Sequence, residues 1–432
     1  MVKEGNKEVR VGAKEIEIPK EWKKYKFKSD YISKKMKAGG TPKSNNKDYY
    51  DGQIPFVKIE DMTSNGKYIN YTENTITAKG LDDSSAWMVP KNSLLISMYG
   101  SYGKVAINNI ELTTNQAILS IIPSKKIDLD YLYYYSSERL DGYFKSLVKA
   151  TTQANLTKTI ITNTPVVYPP LPEQKKIASI LSSVDKSIEK TDEVIQETKE
   201  LKKGLMQELF AKGIGHSEFK EVNINGKTMS LPVNWDVKML KNVTQINKNN
   251  ISTSTPEDYE IEYIDISSIN NIGKIKETTF YNYGNAPSRA KRLVNIDDVI
   301  VSTVRPYLKS FSIINEDKEN LVCSTGFAVL TPKSNMETEY IYYFVWSNHF
   351  VNYMRRLMRG TSYPAVNKND VANTFIPVPP LKEQKKIASI LSSVDAKIQK
   401  EEEYKAKLER LKKGLMQKLL TGEIRVNTEM EV

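Results

Sequence analysis

The sequence is poor in the residues that most chemistry needs. Its 432 residues contain one cysteine, Cys323, and two histidines, His216 and His349. A single cysteine excludes an intrachain disulfide framework and fits a reducing compartment, so a cytoplasmic location is expected. One cysteine and two histidines cannot supply the Cys/His set of a structural zinc site. A Ser–His–Asp triad would have to recruit His216 from the linker GIGHSEFK, or His349 after an aromatic-rich segment, and neither setting favours it. There is no GxxxxGK[ST] phosphate loop and no GxGxxG dinucleotide loop, and GSYGK at 100–104 is too short to serve as the first. The Asn/Asp-Pro-Pro tetrapeptide of an amino-methyltransferase is also missing. No run of eighteen apolar residues exists to span a membrane, and the opening MVKEGNKEVR is charged, unlike a signal peptide. The expectation is a protein with no catalytic residues, no metal and no cofactor of its own.

Positive charge, by contrast, is in excess. The formal net charge of +11 points to a polyanionic partner, and nucleic acid is the commonest one. The excess is uneven. Residues 1–168 carry 25 basic and 18 acidic side chains, whereas residues 213–378 carry 18 and 17. A uniformly basic, histone-like coat is therefore excluded, and any binding to DNA must rest on local patches.

The strongest signal is a repeat. EQKKIASILSSVD occurs at 173–185 and again, letter for letter, at 383–395; PPL precedes each copy and LKKGLMQ follows at 201–207 and 411–417. The spacing of Ile177, Leu181, Val184 and Ile188, repeated in Ile387, Leu391, Val394 and Ile398, predicts a narrow apolar stripe on a helix, as in a coiled-coil seam. Pro172 suits a first helical turn, and Gly213, Gly215 and Gly422 are helix stops. Each helix of about 40 residues would be roughly 60 Å long. Gly204 and Gly414, equally placed inside both, suggest a close crossing or a kink.

The segments before the helices repeat more faintly. IPKEW (18–22) matches LPVNW (231–235), TTNQAILSIIP (113–123) matches CSTGFAVLTP (323–332), and DLDYLYYYSS (128–137) matches ETEYIYYFVWS (337–347). The apolar pattern is kept while other letters change, as expected of one fold with two specificities. Short runs such as SLLISMY and DVIVSTV read as strands, and the tyrosine-rich segments read as helices. The expected fold class is α+β: two globular modules with mixed sheets (1–168 and 215–378), separated by two long antiparallel coiled-coil helices (169–214 and 379–424) in a pseudo-two-fold circular arrangement, with a short tail at 425–432.

Reading bases or phosphates requires cationic and polar side chains on loops or edges. Three places qualify, and the resemblance described below adds a fourth. Lys35, Lys37, Thr41 and Lys43 lie in a lysine-rich stretch ending in Gly39-Gly40-Thr41-Pro42-Lys43, which reads equally well as an edge strand guarded by lysines. Ser101, Tyr102 and Lys104 match Arg305, Tyr307 and Lys309 at an expected hairpin tip, where an ordinary polar turn is the alternative. Arg289, Lys291 and Arg292 form SRAKR on an otherwise near-neutral module. Lys58 lies in IPFVKIEDMT. Arg355–Arg359 reads as the exposed face of a helix.

Together, the two PPL-x-EQKKIASILSSVD…LKKGLMQ segments, each after a variable module, and AGGTPK with IPFVKIEDMT resemble the specificity (S) subunit of type I restriction–modification systems. The resemblance runs from about Trp22 to Ile424. It implies two target recognition domains, each reading one half of a bipartite, asymmetric double-stranded DNA site. It also implies helices that act as a spacer and as a docking surface for two methyltransferase (M) subunits, with nuclease–translocase (R) subunits joining the full complex. A coiled-coil scaffold that binds only other proteins explains the helices but not the twin, diverged modules.

Overall fold

A computed structural model describes residues 4–11, 14–99, 103–140, 156–270 and 272–428. Contacts divide the chain into two compact units, Met1–Asp192 with Tyr404–Val432, and Glu193–Glu403. Neither boundary falls in a loop. Each lies inside a 39-residue helix, Leu171–Leu209 or Leu381–Leu419.

In the first unit a five-stranded mixed sheet runs in the order Ser33–Ala38, Ile118–Pro123, Leu94–Ser97, Val105–Asn108, Tyr68–Ile69, with only the last pair parallel. Its central strand, LLIS, is buried on both faces and so has no polar alternation. A smaller sheet joins Thr113–Thr114, Tyr50–Val57 and Asn74–Ile76. The second unit repeats the plan with two four-stranded sheets. One runs Thr244–Ile246, Phe327–Pro332, Val299–Ser302, Phe311–Ile313, and the other runs Thr279–Asn282, Glu260–Ile264, Leu321–Ser324, Ala290–Leu293. The tyrosine-rich segments form helices Leu129–Tyr135 and Thr338–Trp346, which bury Tyr131, Tyr134, Tyr340 and Tyr343.

The repeated letters PPL-x-EQ are fixed by tertiary contacts. Trp22 and Trp235 are fully buried, and each indole N–H donates to the repeated glutamate, Glu173 or Glu383, at 3.1 Å. The next residue, Gln174 or Gln384, donates to the carbonyl of Pro169 or Pro379 at 2.9 Å. Its side-chain oxygen accepts the backbone N–H of Asp128 or Glu337, at the start of the tyrosine-rich helix. One Trp-Glu-Gln relay thus joins module and long helix in each unit.

The long helices contribute to both cores. In the first unit Ile177 and Leu181 are buried in a cluster with Met416, Leu419 and Leu420, while Asp185 pairs with Lys412 at 2.6 Å and Asp192 with Lys405 at 2.7 Å. In the second unit Met206 and Leu209 share a cluster with Ile387 and Leu391, and Lys202 pairs with Asp395 at 2.6 Å. Residue numbers rise along one segment as they fall along the other, so the pairing inside each unit is antiparallel. Ile398 is buried too, whereas Val184, Ile188 and Val394 are half-buried. Thr191, where the apolar stripe weakens, is nevertheless buried; its hydroxyl donates to the Ser187 carbonyl at 2.8 Å, removing the penalty for a buried polar group. The expectation of a close crossing at Gly204 and Gly414 fails, because a Cβ at either position would meet nothing within 4 Å.

Candidate nucleic-acid interface

The described candidate residues lie near strand ends and connecting loops that backbone hydrogen bonds tie together. In the first unit, Gly39 and Gly40 donate backbone N–H bonds to Ile118 and Thr114, and the Thr41 hydroxyl donates to Gln116. The glycine pair is required by space: a Cβ on Gly39 would meet the Thr114 carbonyl at 2.1 Å, and one on Gly40 would meet Ser85 at 2.2 Å. Met98 continues the line through its bond to Ala117, and Leu156 through its bond to Met98. Ser101 and Tyr102 lie outside the described residues. Lys104 is half-buried, and burial pulls its ammonium below the usual lysine range. Lys43 is exposed.

Lys35 and Lys37 lie on an edge strand, one of the two settings expected of them. Ser33–Ala38 is an edge strand, and both lysines project over the Trp87 ring at 4.5 and 5.5 Å. The lysines guard the edge, and their ammonium groups are held beside the loop that touches Gly40.

The second module ties its strand ends and loops too, and two of the bonds, from Thr303 and Val366, match those of Met98 and Leu156 in the first. Ile251 bonds to the Lys291 carbonyl, Thr325 to that of Arg289, Thr303 to that of Gly326, Val366 to that of Thr303, and Arg305 to that of Pro364. Arg289 is exposed. Lys291 donates to the Tyr283 hydroxyl at 3.0 Å and covers its ring. Two side chains turn away from the expected exposed setting. Arg292 is half-buried opposite Cys323, and burial holds its guanidinium below the usual range. Lys309 donates to the Trp346 carbonyl at 3.1 Å and faces a cleft of 1520 Å³ beside the long-helix segments. Burial, and then the charge of Lys202, depress its ammonium.

Lys58 sits at the end of the smaller sheet and donates to Asn74 at 2.8 Å. Val57 pairs in parallel with Thr114, as Ile264 pairs with Cys323, so the position of Lys58 is held by the exposed Asp265 in the second module. One backbone site carries opposite charges in the two copies.

The edge of the second module also gathers Arg355 and one residue that sequence reasoning passed over, Tyr363. The Arg355 guanidinium lies over the Tyr307 ring at 5.7 Å, and that of Arg305 over Tyr363 at 5.0 Å. Arg355 belongs to the last turn of helix Asn348–Leu357, but Arg359 lies beyond it and pairs with Ala365 to close a loop. The signal available in sequence was RRLMRGTSYP, where cations and an aromatic flank Gly360. Cations interleaved with aromatics and tied loop backbones are suited to grip phosphates and stack on bases. No group of side chains among the described residues could hold a metal ion, and no helix among them is long and apolar enough to cross a membrane.

The chain folds into two α+β modules of related plan, and comparison with known proteins gives their class. A family model for the type I restriction modification DNA specificity domain matches residues 19–200 and 232–410. The chain belongs to that family. It is 26% identical over 422 residues to the type I restriction enzyme MjaVIII specificity subunit of Methanocaldococcus jannaschii, covering 95% of each chain. Over 429 residues it is 29% identical to the putative MjaX specificity subunit of the same organism, covering 95% of this chain and 96% of the other. Its fold is similar to a chain in a structure of a type I R-M system (TM-score 0.59, 18% identity, covering 94% of this chain and 99% of that one). It is also similar to the S subunit from M. genitalium (TM-score 0.54, 15% identity, 92% and 96% covered).

Proposed function

We propose that this chain is the non-catalytic specificity subunit of a type I restriction–modification complex, in which each module reads one half of a bipartite, asymmetric site on double-stranded DNA. The observation that carries the reading is the correspondence between loop ties of the two modules. Two backbone ties recur, Met98 to Ala117 as Thr303 to Gly326 and Leu156 to Met98 as Val366 to Thr303, while the side chains beside them differ, down to Lys58 against Asp265. A lysine suits the acceptor edge of guanine and a carboxylate the amino group of cytosine, so one scaffold can hold two preferences. Recognition residues on this reading are Lys35, Lys37, Thr41, Lys43 and Lys58 in the first module, with Ser101, Tyr102 and Lys104, and Arg289, Lys291 and Tyr307 in the second, with Arg305 beside them.

The long helices serve as an antiparallel, coiled-coil spacer in a closed, pseudo-two-fold arrangement, with module boundaries at 1–168 and 215–378. They also offer the same surface twice. Leu201 and Leu411, in the two LKKGLMQ copies, are 56% and 51% exposed, and open space surrounds Gly204 and Gly414 three residues on. Equally placed exposed leucines of this kind suit two copies of one partner, here two methyltransferase subunits, with nuclease–translocase subunits completing the assembly. The test is to delete matched heptads from both helices, co-express the chain with its methyltransferase and sequence the methylated sites. The expected result is a shorter gap between unchanged half-sites. An unaltered gap rules out the spacer role, and methylation without a two-part motif rules out the function.

A further inference from the structure

The loop Arg359–Ala365 has more order than an ordinary surface turn. Arg359 and Ala365 exchange both backbone hydrogen bonds, at 2.9 and 3.0 Å, closing a seven-residue loop. Gly360 enters it at φ +92°, a conformation that a side chain would strain. The closed loop is then stapled to the hairpin tip at 303–309. Arg305 N–H donates to the Pro364 carbonyl at 2.8 Å, the Arg305 guanidinium to the Ser362 carbonyl at 2.9 Å, and Val366 N–H to Thr303 at 2.9 Å. The tip itself holds two non-glycine residues in left-handed conformations, Arg305 at φ +47° and Lys309 at +56°. Each costs about 1–2 kcal/mol, and such strain persists only where surrounding contacts over-determine it.

What this construction presents is one aromatic ring. Tyr363 is 74% exposed, the highest value among the large apolar and aromatic side chains of the described residues, and Leu308 beside it on the hairpin tip is 55% exposed. Burial of the ring therefore cannot explain the loop. Isolated exposed apolar residues are common on protein surfaces, but they are seldom held by a stacked guanidinium on a loop whose carbonyls are already committed. The Arg305 guanidinium covers one side of the ring at 5.0 Å, which orients the phenol and leaves its hydroxyl and the rest of the ring outward. Thr361 and Ser362 are exposed beside it, and Arg289 belongs to the same line of tied loops.

We infer that Tyr363 is a DNA-contacting, specificity-determining side chain of the second module, and that Arg305 is its positioning residue rather than a base reader itself. The proposal rests on the function given above and assigns it a particular contact. A rigid, pre-ordered ring beside cations can pack on a base or slip against an unstacked step at little entropic cost, and its hydroxyl can select a base edge. Arg305 has spent one donor on Ser362 and one face on the ring, so its main effect passes through the loop.

The experiment uses the full chain co-expressed with its methyltransferase and single-molecule methylation sequencing of host DNA. Tyr363→Ala should reduce discrimination at one or two positions of one half-site by at least tenfold and leave the other half-site unchanged. Tyr363→Phe should keep most of the discrimination if stacking dominates, or lose it like alanine if the hydroxyl selects the base; either result supports a contact. Arg305→Asn, chosen because asparagine tolerates the left-handed conformation, should relax the same positions. Combined with Tyr363→Ala, it should add nothing there. Thermal melting of Tyr363→Ala should match the wild type, since the ring is exposed. A Tyr363→Ala complex with the wild-type motif and wild-type discrimination overturns the proposal, as does equal loss at both half-sites. A wild-type complex without a two-part motif overturns the functional reading along with it.

Discussion

At the scale of single residues, the two histidines, whose settings did not favour a triad, have structural work. His216 Nε2 lies 2.8 Å from Glu383, which also accepts the Trp235 indole and the Ile214 N–H. The equivalent glutamate of the first unit, Glu173, is closed instead by Arg425, at 2.7 and 3.0 Å. His349 is set differently. Its ring lies 3.0 Å from the Asn225 amide, and burial, with the charges of Lys227 and Arg356, pushes its pKa down to about 4. The fold therefore favours the neutral ring. Below about pH 6.5 the unfolded chain takes up a proton that the folded chain refuses until about pH 4, so stability is complete above that window and falls as pH drops through it. The slope contributed is at most about 1.4 kcal/mol per pH unit. Replacing His349 with Gln should flatten the stability profile of the second unit between pH 6.5 and 4 in denaturant titrations. Parallel profiles for the two proteins would show that the ring titrates freely.

At the scale of elements, the long helices were the most legible part of the sequence. Ile177, Leu181, Ile387 and Leu391 are spaced for one helical face, and all four are buried against the partner segment of their unit. Replacing Leu181 or Leu391 with Ala should cost about 2–5 kcal/mol, the range for emptying a buried leucine site. Chemical unfolding followed by hydrogen exchange should place each loss in its own unit. A loss under 1 kcal/mol would mean that the seam collapses around the gap. Strands such as Leu94–Ser97 and Val299–Ser302 were legible for a similar reason, since short β-branched and leucine-rich runs fit a buried sheet. The interface was only half legible. Charge and turn letters located the loop edges, but the direction of a side chain depends on residues far away in sequence. Lys309 turns inward because Trp346 offers a carbonyl, and Arg292 because its strand pairs with that of Cys323. Tyr363 was passed over because TSYP carries no charge, and its prominence arises only when Arg305 staples the loop.

At the scale of the whole molecule, the first compact unit is not a continuous stretch of chain, whereas the second is. The first consists of residues 1–192 completed by 404–432, and the second of 193–403. The last 29 residues bring Met416, Leu419 and Leu420 onto Ile177 and Leu181, Lys412 and Lys405 onto Asp185 and Asp192, and Arg425 onto the buried Glu173. Ending the chain at Glu403 would leave two apolar side chains and three carboxylates of the first unit without these partners. The buried carboxylate is the costliest to leave, because it retains only the Trp22 indole as a donor from that group. The seam of the second unit, Met206 and Leu209 against Ile387 and Leu391, is untouched by the cut. The truncated protein should therefore lose amide-exchange protection along residues 171–192 and around Trp22, while strands Val299–Ser302 and Phe327–Pro332 keep theirs. Equal loss in both units would mean that they unfold as one, and full protection in the first would mean that its module holds the helix without the returning segment.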